Sequence, residues 1–351
     1  MTKARILANL GAVTSSATEL NYVDNVTSAV QTQLDAKLPL AGGTMTGDLV
    51  PATPMSHRNM IINGAMTVAQ RRTSASNNQP GILTCDHFKI EADGMSADFT
   101  CTQDSTGPDG FKKSLKLTHN SGDAMGTASD QVGVSIRNEA QYLQHLCYGT
   151  SSAKTTTLSF YVKTNLAGTY AVNLKQSDNS DKINAQSYVV SSSDASSENW
   201  VRYSITIPGD TSGVINDDNG DGMNIGFALG AGSNYRGGTN GTSWQTYNAN
   251  LFANQTVNVF ASSSSYWQIT GIQWELGSNA TPFEHRSYGE ELARCQRYFQ
   301  ILDSAGSSRS PQTSDGTCRY YVALPSEMRT TPSSIVVSSW GGSGTWNVYA
   351  S

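Results

Sequence analysis

Charge is scarce in this chain. Only 15% of its 351 residues are Asp, Glu, Lys or Arg, and the formal net charge is -5. A slight acidic balance gives no electrostatic reason to bind nucleic acid or an anionic membrane. No apolar run approaches the ~18 residues of a membrane span. The apolar part of MTKARILANL is too short for a signal peptide. Cysteine is sparse: Cys85, Cys101, Cys147, Cys295 and Cys318 are scattered and form no CxxC. An odd, dispersed set predicts buried free thiols rather than a disulfide framework or a zinc site, which suits folding in a reducing cytoplasm. The five histidines show no HExxH and no pairing at i, i+4, and there is no GxSxG, phosphate loop or Cys-His signature.

What the chain does have is 32 glycines, long Ser/Thr/Asn tracts, 15 tyrosines and 6 tryptophans. Many small polar residues with many rings predict β-structure carrying hydroxyl-covered faces, and they argue against disorder. Three regions are expected: a stalk at 1–56, a β-sandwich at 57–287, and a small C-terminal part at 288–351. Strict alternation marks strands at Thr157–Lys163, Thr169–Leu174, Trp200–Ile207, Thr256–Phe260 and Tyr266–Leu276, with turn-rich breaks between them. Many such strands without βα alternation predict a two-sheet sandwich of jelly-roll type. Ile136, Ala140, Leu143 and Leu146 or Cys147 fall on one side of an expected helix at Ser135–Cys147. A short helical bridge is expected at Glu290–Phe299, followed by a polar loop, strand-like Cys318–Leu324 and Ser334–Val337, and a last hairpin arm at Thr345–Tyr349.

The first region contains too little to make a core. Ser16 to Glu19 has capping-box spacing, and Asp24 is placed to cap a second helix. Val23, Val26, Val30, Leu34 and Leu38 then make one apolar stripe. A helix of about 14 residues is marginal alone in water, and Leu40–Leu49 is mostly Gly, Thr and Ala. The stripe therefore predicts self-association through the same helix of another copy.

Two phrases carry a resemblance. LNYVDNVTSAVQTQLDAKLPLAGGTMTGDL resembles the helical-plus-TGDL units of bacteriophage tail fibres and other virion appendages. NMIINGAMTVAQRRTS resembles the opening of a phage structural domain that typically closes with text like YWQITGIQWELGSNATPFEHRSYGEELARCQRYFQ, here Tyr266–Gln300. The likeness covers Glu19 to Gln300, with departures at Arg72, where many relatives carry Gly, and in Asp86-His87-Phe88, where Asp-Arg-Phe is frequent. It implies a homotrimeric virion fibre with a jelly-roll domain similar to carbohydrate-binding modules. The fibre would be assembled in the host cytoplasm, joined by its N-terminus to tail or baseplate proteins, and presented to host surface polysaccharide.

Candidate sites follow from residue type. Tyr235, Trp244 and Tyr247 lie in a Gly/Asn/Thr-rich stretch with no alternation to bury them. Such rings stack on sugar faces, or plug a sandwich end or a subunit interface. Asp217, Asn219 and Asp221 match the first half of a calcium loop, but position twelve is Ala228 instead of Glu, which excludes an EF-hand. An inter-strand turn is the plainer reading of the same residues, and no cofactor is otherwise expected. Glu284, His285, Arg286, Glu290 and Glu291 suggest ion pairs and a helix cap rather than two carboxylates across a substrate. Trp200, Trp267 and Trp274 are expected in packing.

The expectation is a non-enzymatic tail fibre. Its alternatives are a collar or capsid fibre and a fibre-borne glycan depolymerase. A variant beginning at His57 is expected to lose the trimeric molar mass of the full chain in light scattering. A truncation that stays trimeric would move the assembly element out of the stalk.

Overall fold

The computed structural model describes residues 56–332 apart from 77–80, 82–83, 95–96, 123–126, 179–181, 238–240, 242, 247–250, 302–306, 310–319 and 323. The apolar stripe Val23–Leu38, Tyr247, Cys318, Ser334–Val337 and the arm Thr345–Tyr349 lie outside the described residues.

In chain order the strands are β1 (Ser74–Ser76), β2 (Phe88–Asp93), β3 (Asp98–Asp104), β4 (Ser114–Ser121), β5 (Gln131–Glu139), β6 (Thr156–Thr164), β7 (Gly168–Lys175), β8 (Lys182–Val190), β9 (Val201–Ile207), β10 (Asp221–Ala231), β11 (Gln245–Thr246) and β12 (Tyr266–Leu276). They form two six-stranded antiparallel sheets, β1-β3-β4-β12-β6-β9 and β11-β8-β7-β10-β5-β2. The architecture is the jelly-roll sandwich expected from the alternation. A separate ribbon pairs β13 (Ser307–Arg309) with β14 (Tyr320–Val322).

The core fills the space between the two inner faces. Phe160 meets Phe227 at 5.0 Å and Tyr188 at 5.1 Å, both edge-on, the arrangement ring quadrupoles favour. Trp267 is fully buried, and its Nε1–H donates to the Tyr188 hydroxyl at 3.0 Å, so its polar atom is not stranded. Each buried Phe, Leu or Ile contributes about 1.5–3 kcal/mol relative to exposure.

Strand β12 reads as a run of buried residues on both faces. Trp267 and Ile269 point into the core at odd positions, yet Ile272 and Trp274 do so at even ones. The switch is made by a bulge between Thr270 and Gln273, at Gly271, whose φ is +62°. One extra residue reverses which face each later side chain takes. Glycine is required there, because a Cβ would meet the Phe111 ring at 2.8 Å and the Tyr161 ring at 2.9 Å.

Past the bulge β12 loses β4 as a neighbour, and residues 60–64 take its place. The Met60 amide donates to the Trp274 carbonyl at 2.9 Å, and the Ile272 amide to the Gly64 carbonyl at 3.0 Å. Asn59 holds the join with its side chain: Nδ2 donates to the Ile272 carbonyl, and Oδ1 accepts from the Ile61 and Trp274 amides. The two phrases that resemble the opening and closing of a phage domain are thus physically one feature. Arg286 locks it. Its buried guanidinium donates to the Ile61 and Asn59 carbonyls and pairs with Glu291 at 3.0 Å and Glu284 at 3.6 Å.

Helix α2 (Tyr288–Gln296) follows, after α1 (Ser192–Ser197), which the sequence reading missed. Ser287 caps α2 by accepting from the Glu290 amide, and Glu290 and Glu291 in its first turn suit the helix dipole. Beyond α2, Arg297 makes a two-pronged pair with Glu139 at 2.7 and 2.8 Å, and Tyr298 donates to the same carboxylate at 2.6 Å. Burial pushes the Glu139 carboxyl up, but those donors and Gln141 together hold it below the usual range.

Chain entry at Asn59 and exit at Arg297 therefore lie toward the pole where β6 begins. The opposite pole, where β6 ends and β7 starts, is roughly 30 Å away along nine strand residues.

Two expectations are corrected. The helix at Ser135–Cys147 is a strand as far as Glu139, because Ile136 belongs to the alternation of β5. Only Ala140–Leu146 is helical, and it is a 3₁₀ helix. Its buried residues, Ala140, Leu143 and Leu146, are spaced by three, which a three-residue turn lines up. Thr256–Phe260 is not a strand. It crosses the end of β7, with the Thr256 amide donating to the Thr169 carbonyl and the Val259 amide to the Leu229 carbonyl.

Arg286→Ala is expected to cost about 3–5 kcal/mol in urea unfolding, since it strands the buried Glu291 carboxylate. Arg294→Ala, which removes an exposed pair with Glu290, should cost below about 1 kcal/mol.

Candidate functional site

The distal pole carries a loop, residues 232–258, two-thirds of it Gly, Ser, Asn, Thr and Ala. Small residues on the outer side of the β7–β10–β5 sheet let it lie down: Phe252, Tyr235 and Leu251 pack on Ala171, Ala228 and Ala231. The loop is pinned at its base. The Gly232 amide donates to the Asp130 carbonyl, the Asn234 amide to the Ala128 carbonyl, and the Phe252 amide to the Tyr235 carbonyl. Gln255 is buried and fully committed: its Oε1 accepts from the Ala171 amide at 2.5 Å, and its Nε2 donates to the Val257 carbonyl at 2.8 Å.

Between the loop and the sheet ends lie two adjoining hollows of about 500 and 330 Å³. Thr169, Asn254 and Thr256 line the first, Thr127 and Asn258 line the second, and Ser233 and Arg236 belong to both. The lining is hydroxyls, amides and one guanidinium. Asn254 takes a left-handed backbone, φ +64°, which Asn tolerates better than most residues. Its amide donates to the Arg236 carbonyl, so the position of Arg236 is set by the far arm of its own loop.

The outer face beside the loop has no aromatic ring among its described residues. Register places Asn173, Gly226 and Ser135 in one row and Ala171, Ala228 and Gly133 in the next. Chemically this suits hydrogen bonding to a polar ligand that approaches the backbone closely.

The sequence-predicted residues fall in different places. Tyr235 turns onto the alanine patch, away from the hollow. Trp244 is half-buried, edge-on to Tyr148 at 5.7 Å, and its Nε1–H donates to the Pro208 carbonyl at 2.7 Å. Both rings plug the fold. Asp217 and Asn219 are exposed, and the Asn219 amide group donates to the Arg329 carbonyl at 2.7 Å, while Arg329 donates back to the Asn219 carbonyl. Asp221 opens β10 and pairs with Arg137 at 3.6 Å. Burial lifts its carboxyl above the usual value. Among the described residues, no group of three or more His, Cys, Asp or Glu is placed to hold a metal ion. His285 packs tilted against Phe111 at 5.1 Å and edge-on to Phe283 at 4.9 Å, and it does not line the hollow. Cys85, Cys101 and Cys295 are buried and free, and Cys147 is half-buried and free.

The sequence reading passed over Arg236, which stands between the more conspicuous rings Tyr235 and Trp244. A signal was there. Between Asp221 and Glu275 it is the sole charged residue.

No family model and no curated protein matches this chain. Among solved structures it is similar to the enzymatically active domain of tailspike protein 4 of bacteriophage CBA120, with TM-score 0.32 and 9% identity over 62% of this chain and 21% of that one. The chain thus spans about a fifth of that domain. It is similar also to the family 11 carbohydrate-binding module of Clostridium thermocellum in complex with a mixed-linked tetrasaccharide, with TM-score 0.30 and 13% identity over 60% and 99% of the two chains. A third is the xylan-binding CBM22 domain of Paenibacillus barcinonensis, with TM-score 0.28 and 11% identity over 54% and 87%. The sandwich assignment rests on the strand pairing of this chain itself.

Gln255→Ala is expected to destabilise the chain by about 1–3 kcal/mol, because the Ala171 amide loses its acceptor. Hydrogen exchange should then speed up at Ala171 and across 251–258, while α2 keeps its protection.

Proposed function

We propose that the chain is a virion appendage protein, a tail fibre of a tailed bacteriophage, and that its distal hollow binds glycan on the host surface. The observation that carries this reading is the pairing of a hydroxyl-, amide- and guanidinium-lined hollow with its position. It sits at the pole opposite the chain's entry and exit, where a tethered domain meets what lies outside. The resemblance of residues 19–300 to phage fibre text supports the same reading.

The N-terminal stripe would join copies into a trimer and attach them to tail or baseplate proteins. Function would then be presentation and avidity, without turnover: linked weak sites gain roughly 10²–10⁴ in effective affinity with no new chemistry.

Purified full-length chain, added in excess, is expected to slow adsorption of the phage to its host, and antibody against it should label the tail. Label confined to capsid or collar would favour a non-receptor fibre. A steady rise in reducing ends on incubation with host polysaccharide would replace binding by depolymerisation.

A further inference from the structure

We infer that the distal hollow selects an acidic saccharide, one whose carboxylate is received by Arg236. The inference rests on the glycan reading above and adds the ligand's class.

Three observations converge on it. First, among the described residues the hollow offers no ring to stack on. Tyr235 and Phe252 are spent on the alanine patch, and Trp244 is tied to Pro208 and Tyr148. Tyr and Trp usually supply the apolar gain in such sites, so a neutral sugar here would have hydrogen bonds alone, each exchanged against water at small net benefit.

Second, much of the neutral lining is already engaged. Gln255 has both side-chain atoms committed, the Thr256 hydroxyl accepts from the Thr169 amide at 2.9 Å, and Asn258 Oδ1 accepts from the Phe260 amide at 3.0 Å. Thr127 donates its hydroxyl and its amide to Asp130.

Third, Arg236 is exposed, and its guanidinium has no ion-pair partner among the described residues. Nor can any other residue between Gly222 and Trp274 supply a carboxylate, since none is Asp or Glu. No acid is among the residues lining either hollow, and Asp130, close in the chain to the lining residues Thr127 and Ala128, is buried and accepts from Thr127. A guanidinium matches a carboxylate by two parallel N–H donors, and such charge-assisted bonds are roughly twice as strong as neutral ones. Ser233, beside Arg236 in both hollows, is placed to bond the adjoining hydroxyl of the same sugar.

The test is calorimetric titration of the full chain with oligosaccharides bearing glucuronate, galacturonate or sialate, each beside the same oligosaccharide with its carboxyl groups reduced to alcohols. At least one acidic probe is expected to bind about tenfold tighter than its reduced partner, with affinity falling as salt rises. Arg236→Ala should erase that difference, and Arg236→Lys should restore part of it. Because Arg236 is exposed, the thermal midpoint of both variants should match the parent. Equal binding of acidic and reduced probes, unchanged in Arg236→Ala, would overturn the acidic class and leave the glycan reading standing. Absence of binding to every probe, acidic and neutral, would remove both.

Discussion

The sandwich depends on one strand keeping two opposite alternations at once. Trp267 and Ile269 face the core before Gly271, and Ile272 and Trp274 face it after. Without the extra residue at the bulge, the second pair would turn to solvent, and the edge that receives residues 60–64 would carry the wrong face. The positive φ at Gly271 and the ring atoms around it leave room for no side chain. A single backbone conformation therefore decides whether the two ends of the domain can meet.

From that constraint the polarity of the molecule follows. Asn59 bonds the far half of β12 through its side chain, and Arg286, more than two hundred residues further on, donates to the Asn59 and Ile61 carbonyls. Arg297 then ties the outgoing chain to Glu139. Long-range closure of this kind loses loop entropy before any contact forms, so it needs dense, buried hydrogen bonding to hold. With Asn59 and Arg297, where the chain enters and leaves the sandwich, gathered toward one pole, the other is left to the 232–258 loop. Its glycines, serines and asparagines are poor core formers, and they fold only because alanines beneath them admit Phe252 and Tyr235.

Much of the fold was legible in the residues. Alternation located β6, β7, β9 and β12 within a residue or two, because each has one buried and one covered or wet face. Thr256–Phe260 deceived for a related reason: Val257 and Val259 are buried in alternation, but their neighbours bond across strand ends, outside any ladder. Strand β5 hid behind Ala140, Leu143 and Leu146, whose spacing of three blended with Ile136 into a helical period. Strands β2, β3 and β8 gave weaker signals, being short or carrying polar residues such as Asn184 inside.

The candidate site was only half legible. Composition alone singled out the segment from Gly230 to Asn250, and the ion pairs around Arg286 were readable from charge spacing. What sequence determined by itself was local: which residues alternate, which turns break them, where a helix can be capped, and how little charge there is to spend. Only the tertiary structure decided that Tyr235 and Trp244 turn inward while Arg236 stays at the mouth of a hollow. A ring's direction depends on whether alanine or bulk lies under it, and part of that surrounding, Ala171 beneath Tyr235 and Tyr148 beside Trp244, comes from distant parts of the chain.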